Sequence, residues 1–429
     1  MKKMITSVGL VAFSAANLQA EQYAPAPNLS SLQTTKPWSV AATLRGFYDD
    51  NYTTASVNKL DSFGFEVSPS AKVNWTLPQT YIGLSYAYGM RFYEDRDNNR
   101  ADHSHQADLN LNHTFTPNYK LDLSDSFVYS REPEISAGGT SVIRRTNTGY
   151  YRNRAGGHLT AGLTEKLSTT VGYSNTFYRF DDDAAGRNTL SALLDRTEHL
   201  PTIDLRWQVQ PSTVAILGYQ YGIVNYDDSN RLYSGASVFQ SSIRDSNSHY
   251  IMAGVDHTFD PQFSASLRAG VQLVEWDELN TQLAANGLPS QDDTQVSPYI
   301  DASVTKAFSP DTSAQLGVRH SRQSTDVAFF NASNPTLDQE ATTIYGQVSH
   351  QILPRLSGSL LAQYQMADFQ AGGADGRSDN FFLAGINLSY EINQFLAAEA
   401  GYNFDDLDSD IPNRGFSRNR VYLGIRASY

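Results

Sequence analysis

Arg91, Arg154, Arg206, Arg268, Arg319 and Arg426, with Lys72, recur between apolar neighbours along their segments. So do Asp108, Asp122, Asp204, Asp256, Asp301 and Glu399. Guanidinium and carboxylate groups in such rows are not poised for covalent chemistry. They hold water against an apolar surround and set a field across a narrow aqueous passage, which sorts solutes by charge. For any single residue the plainer role, bracing neighbouring strands by cross-strand pairing, carries more weight. The set as a whole requires a hydrated interior.

Catalytic alternatives find little support. Nine histidines are scattered through the chain, and neither a Gly-x-Ser-x-Gly nor a His-Glu-x-x-His motif occurs. His103, His105 and His113 fall on one face, the apolar one, which suits interfacial side chains better than metal ligands. His249 and His257 lie together in a later segment. Asp406-Leu-Asp408-Ser-Asp410 resembles the start of a calcium loop but lacks its glycine and closing glutamate. Tyr299 and Phe381 sit on the wet face, too few to form a sugar-stacking track. No catalytic residue, cofactor or resident metal is expected.

The elements that must position these charges are read from the alternation itself. In Phe263-Ser-Ala-Ser-Leu-Arg-Ala-Gly-Val-Gln-Leu, the residues Phe263, Ala265, Leu267, Ala269, Val271 and Leu273 share one face and Ser264, Ser266, Arg268, Gly270 and Gln272 the other. Side chains alternate across a strand, so the segment is greasy on one side and wet on the other. Ile82, Leu84, Tyr86, Tyr88 and Met90 repeat the pattern, as do Ala314, Leu316 and Val318. Many such strands of about ten residues, joined by alternating short and long connections, mark a transmembrane β-barrel.

The short turns set the register: Thr76-Leu-Pro-Gln, Thr116-Pro-Asn, Thr164-Glu-Lys, Gln210-Pro-Ser, Asp260-Pro-Gln, Ser309-Pro-Asp, Leu353-Pro-Arg and Ile392-Asn-Gln. Proline presets a turn and cannot donate to a ladder. Trp75, Phe115, Trp207, Phe259 and Phe308 stand at or next to these turns and form one expected interfacial girdle. Tyr93, Phe180, Tyr226, Trp276 and Phe404 precede acidic loops and are expected to form the second. The count gives an all-β, antiparallel up-and-down barrel of about 18 strands, with both termini periplasmic. Sixteen is the second choice, because Pro69 spoils strand 2. Leu121 and Leu123 share a face with Asp125, which calls for a bulge or for an interfacial position of that carboxylate. The loops 132–146, 181–196, 227–245 and 277–293 are the candidates to fold into the lumen.

Residues 1–20 read as a signal peptide: Lys2 and Lys3, the apolar run Met4 to Phe13, and a small-residue cleavage site at Ala20. Residues 21–37 are a proline-bearing lead-in, and 38–429 form one barrel. No apolar stretch is long enough for a helical span. Mean hydropathy is −0.42, as expected when only alternate strand residues face lipid. There is no cysteine, hence no disulfide, thiolate site or lipid-anchoring cysteine. Loss of Lys2 and Lys3 with the leader takes the net charge from −13 to −15, which argues against nucleic acid.

The last strand, Val421-Tyr-Leu-Gly-Ile-Arg-Ala-Ser-Tyr429, resembles the terminal signal that outer-membrane barrels present to the barrel-assembly machinery. Gly424 and Tyr429 are its matching positions, and Ala427 departs from it. Residues 38–429 as a whole, with Phe47-Tyr-Asp-Asp-Asn-Tyr, the tyrosine-rich strands and the proline turns, resemble the porin 2-like β-barrel families of Gram-negative bacteria. The resemblance implies the bacterial outer membrane and a porin-like channel for passive diffusion of small polar solutes. The alternative is a non-conducting barrel for envelope polysaccharide export, assembly or docking. Expected partners are outer-membrane lipid and lipopolysaccharide, the assembly machinery, small polar solutes and a further copy of the chain as a homo-oligomer.

Overall fold

The computed structural model describes residues 36–132, 148–182, 188–234, 236–327 and 334–429. The expected signal peptide, most of the lead-in and most of loop 132–146 lie outside these.

The first nine strands are β1 (Trp38–Asp49), β2 (Ser62–Thr76), β3 (Thr80–Tyr93), β4 (Ala101–Thr116), β5 (Tyr119–Ser130), β6 (Tyr150–Gly162), β7 (Leu167–Phe180), β8 (Arg196–Gln210) and β9 (Thr213–Tyr226). A separate two-stranded hairpin follows, β10 (Arg231–Ser234) with β11 (Ser237–Gln240). The second set is β12 (Ser246–Asp260), β13 (Phe263–Trp276), β14 (Thr294–Ser309), β15 (Thr312–Gln323), β16 (Asp338–Leu353), β17 (Leu356–Gln370), β18 (Ser378–Asn393), β19 (Leu396–Ser409) and β20 (Phe416–Ser428). Each pairs antiparallel with its neighbour, and β1 closes on β20, giving one 18-stranded barrel. Closure leaves no free edge, as a bilayer demands.

Eighteen strands stand, and sixteen does not. Strand β2 survives its proline: the β2–β3 ladder runs from Val67↔Met90 to Ser70↔Ala87, omitting Ser68 and Pro69 without changing register. Pro201 interrupts the β8–β9 ladder in the same way, between His199↔Ile223 and Thr202↔Gln220. One missing N–H costs a rung, while the alternation of faces continues.

The short turns have a common construction. At six of them the ladder slips by one residue just before the turn, and the residue left unpaired is Phe115, Val209, Phe259, Phe308, Ile352 or Ile392. The bulge turns this extra apolar side chain outward: Phe115, Phe259 and Phe308 are 52%, 57% and 60% exposed. With Trp75 and Trp207, also exposed, they form the expected girdle at the short-turn rim. The next residue closes the turn through its side chain. Thr116 Oγ1 accepts from Asn118 N, Asp260 Oδ1 from Gln262 N and Ser309 Oγ from Asp311 N.

Of the expected second girdle only Phe404 faces outward, against Phe382; the other four do not. Tyr93, Phe180, Tyr226 and Trp276 are buried inside the barrel, because their parity is that of the inward face. The outward belt is instead a repeated diagonal pair. The phenols of Tyr86, Tyr88, Tyr173 and Tyr219 bond Nδ1 of His105, His103, His199 and His249 at 2.7–2.8 Å. Tyr221, Tyr364 and Tyr402 reach Asn247, Asn380 and Asn419 in the same manner. Each tyrosine leans toward the long-loop rim and meets the residue two places beyond its register partner. A polar tip that is bonded above an apolar ring suits the membrane interface. His113 and His257 hold the opposite rim, bonded to Thr80 and Thr213.

One open choice is decided against the bulge, and one expectation is corrected. The β4–β5 register is unbroken through Asp125, the slip lying only between Thr114 and Thr116; Asp125 stays on the outward face and accepts from Asn153 Nδ2 at 2.9 Å. Asp406 and Asp408 belong to β19, not to a loop. Leu407 between them is tucked inward with Phe381, Leu383 and Phe416, so the alternation carries the strand four residues further than proline and charge spacing suggest.

Candidate pore lining and loop core

The inward face is built from alternate residues of all eighteen strands. In the short-turn half one charged row crosses β12 to β15: Gly254 faces Arg268, Arg268 faces Asp301 and Asp301 faces Arg319. Asp256 anchors the row. Its Oδ1 accepts from Arg268 Nη1 at 2.9 Å and its Oδ2 from Arg206 Nη2 at 2.7 Å. The Arg206 bond crosses over β9, so the side chains lie along the wall. Asp204 stands beside Gly218, where a larger residue would meet its carboxylate. Arg319 makes no hydrogen bond or ion pair among the described residues, and Tyr250, Tyr299 and Tyr345 lie within electrostatic reach of its guanidinium.

A second network spans the closure of the barrel. Glu399 takes Arg45 Nη2 at 2.6 Å, and Arg45 also meets Glu66 at 3.5 Å. Glu66 holds Arg91 at 2.9 Å, Arg91 meets Glu132 at 3.1 Å, and Glu132 joins Arg418 and Arg420 of β20 at 3.0 and 3.2 Å. Arg418 ends on Asp49 at 2.6 Å. Glu132 follows the end of β5, so its bonds to β20 hold the start of the β5–β6 connection against the wall on the far side of β1–β4. Burial pushes its carboxyl up, but Arg418, Arg420 and Arg91 together hold it well below the usual glutamate range.

The remaining expected residues are separate from these two groups. Asp108 is buried and accepts from Ser85, Gln106 and Ser126. Asp122 accepts from Asn112. Arg154 faces Ser126 and Thr176 in register on the inward face. Arg426 and Lys72 lie at the short-turn mouth. Gly424 packs against Arg45 and the Leu44 carbonyl, where a Cβ would clash. Tyr429 stacks on Phe395 with centroids 6.1 Å apart and exchanges backbone hydrogen bonds with Val40.

The long-loop half holds a loop core. Ala192, Leu193 and Leu194 of a one-turn helix, Leu232 and Phe239 of the β10–β11 hairpin, Ile243 of the helical turn that follows it, Leu279 and Leu283 of a second short helix, and Leu337 form a single apolar core with Tyr150, Phe180, Val274 and Trp276 of the wall. Four connections therefore share it: 181–195, 227–245, 277–293 and 324–337. Arg244 ties three of them, donating to the carbonyls of Leu193, Thr325 and Val327 at 3.3, 3.1 and 2.9 Å. It is 1% exposed, and burial lowers its pKa. Asp245 beside it is pushed up to about 6, chiefly by burial. The sequence had nominated three of these loops. It missed 324–337, and it missed Arg45, Glu66, Glu132, Arg244, Arg418 and Arg420. Arg418 and Arg420 were within reach, since they share the parity of Arg426. Glu132 and Arg244 lie in loops, which have no periodicity to betray them.

Among the described residues no group of three or more His, Asp or Glu is arranged to hold a metal. Such a wall and mouth can pass or hold small hydrated solutes.

Among solved structures, OccAB4 of Acinetobacter baumannii is 15% identical, with a TM-score of 0.44 over 92% of this chain and 99% of that one. OccK2 (OpdF) of Pseudomonas aeruginosa, in complex with glucuronate, is 12% identical, with a TM-score of 0.45 over 91% and 98%. OpdK of the same organism is 10% identical, with a TM-score of 0.44 over 91% and 99%. Likeness this remote carries no inference about what the present barrel passes. No curated sequence matches the chain. A family model does, across residues 39–429, and its description is "Putative beta-barrel porin 2". That match covers all eighteen strands, and the chain therefore belongs to this porin family of outer-membrane β-barrels.

Proposed function

We propose that the barrel is a passive channel for small polar solutes, whose narrow part is the long-loop half. The observation that carries this reading is the charged inward row Arg206–Asp256–Arg268–Asp301–Arg319. It puts both signs of charge on a wall whose other face is apolar. Such a wall makes sense only against water. The shared loop core supports a restricted passage rather than a wide one, and solutes would be sorted by size there and by charge along the row. No residue is assigned a catalytic role. In this reading the short turns and both chain ends face the periplasm, residues 1–20 are removed on export, and Gly424 and Tyr429 guide assembly.

Single-channel recording of the refolded chain tests the proposal. Discrete ohmic steps, small for an 18-stranded barrel, are expected. A barrel that inserts in its folded, heat-modifiable form and passes no current would favour the assembly or docking role.

A further inference from the structure

A cavity of about 200 Å³ opens at the short-turn mouth, where β20, β1 and β2 meet. Three cations line it: Lys36, Lys72 and Arg426. No Asp or Glu does, and the α-carboxylate of Tyr429 is one anion against these three cations. Elsewhere along this seam Arg45, Arg91, Arg418 and Arg420 each have a carboxylate partner. Lys36, Lys72 and Arg426 form no ion pair among the described residues; Lys36 has only the Tyr429 ring, 6.0 Å from its ammonium. Ser39, Ser70, Ser428 and Gln394 add neutral donors to the same lining, and the three hydroxyls make no side-chain hydrogen bond among the described residues.

Three like charges sharing one recess repel one another, in a chain whose net charge is −13. An oxyanion placed between them relieves that repulsion and meets donors of both kinds, charged and neutral. We propose that this recess binds one phosphate- or carboxylate-bearing group. It is a binding site at the mouth, distinct from the loop core and from the Arg268 row, and it does not depend on whether the pore conducts. The lining reaches from the lumen (Ser39, Ser70, Arg426) to the lipid-facing rim (Val40, Phe395, Tyr429). The group can therefore arrive on a solute or on a phospholipid head.

Equilibrium dialysis of the refolded chain in neutral detergent against inorganic phosphate at low ionic strength reads the site directly. One saturable site per barrel is expected. Lys72→Gln combined with Arg426→Gln should weaken binding about tenfold or more, while Arg426→Lys and the turn variant Lys166→Gln should bind as the parent does. Heat-modifiability on gels confirms that each variant is folded. Absence of saturable binding, or binding that survives the double substitution, overturns the proposal. In vesicles, phosphate displaced when phosphatidylglycerol is added to phosphatidylcholine assigns the recess to a lipid head; phosphate that stays bound assigns it to a solute.

Discussion

Glu132→Gln tests how the start of the β5–β6 connection is held to the opposite wall. The Glu132 carboxylate accepts from Arg418 at 3.0 and 3.1 Å, from Arg420 at 3.2 Å and from Arg91 at 3.1 Å. Removing one partner of a buried ion pair costs about 3–5 kcal/mol when the other is stranded. Here no cation is stranded, because Arg418 keeps Asp49, Arg91 keeps Glu66 and Arg420 keeps Asp405. The loss should therefore fall below that range, about 2 kcal/mol, the scale of lost charge-assisted hydrogen bonds. It should appear as local release of the segment after Ser130, not as barrel unfolding, since the ladders are untouched. That is roughly thirtyfold in the population of the released form. Trypsin cleavage after Arg131 reports that population when opening is fast relative to cleavage, and single-channel records should show wider or more frequent open excursions. The pH dependence has a defined sign. The folded pKa is depressed below the ordinary 4.5, so the anchoring is complete above pH 4.5 and is lost as pH falls below it toward the folded value. Glu132→Gln should lack this acid-induced release. Cleavage within twofold of the parent, with unchanged channel records, would refute the anchoring role.

Leu267 is 42% exposed on the lipid face, so Leu267→Arg should cost roughly 2–4 kcal/mol in urea unfolding from vesicles. Gln315→Arg, on the inward face, should cost little, and equal costs would reverse the register. Arg268→Glu with Arg319→Glu should move the reversal potential toward cation selectivity. The shift should shrink as salt rises, because the Debye length falls from about 10 Å at 0.1 M to about 3 Å at 1 M. Arg244→Met removes the clamp on three loops, and should raise conductance and loop proteolysis while leaving barrel unfolding nearly unchanged.

The wall was legible in the sequence; of the loop core, three contributing loops were, but their contacts were not. Period-two alternation is a local signal: Phe263 to Leu273 needs no partner to announce its two faces, and the Pro turns announce where each strand ends. Pro69 obscured β2 only because a missing rung looks, in sequence, like a missing strand. The aromatic residues Tyr93, Phe180, Tyr226 and Trp276 misled because their parity changes meaning at the barrel end, where the inward face meets loops rather than water. Asp405, Asp406 and Asp408 read as loop, yet Leu407 continues the strand. Contacts such as Glu132 with Arg418, or Arg244 with Val327, join loops to distant parts of the chain, and no spacing rule reaches that far.

The central claim is that a polar-lined barrel, narrowed by a shared loop core, passes small hydrated solutes. Liposome swelling in a graded series of uncharged polar solutes measures this directly. The account predicts swelling for the smallest members, a steep fall in rate with size, and faster entry for larger members when Arg244→Met loosens the core. Folded barrels that leave the liposomes unswollen for every solute, parent and variant alike, would contradict it.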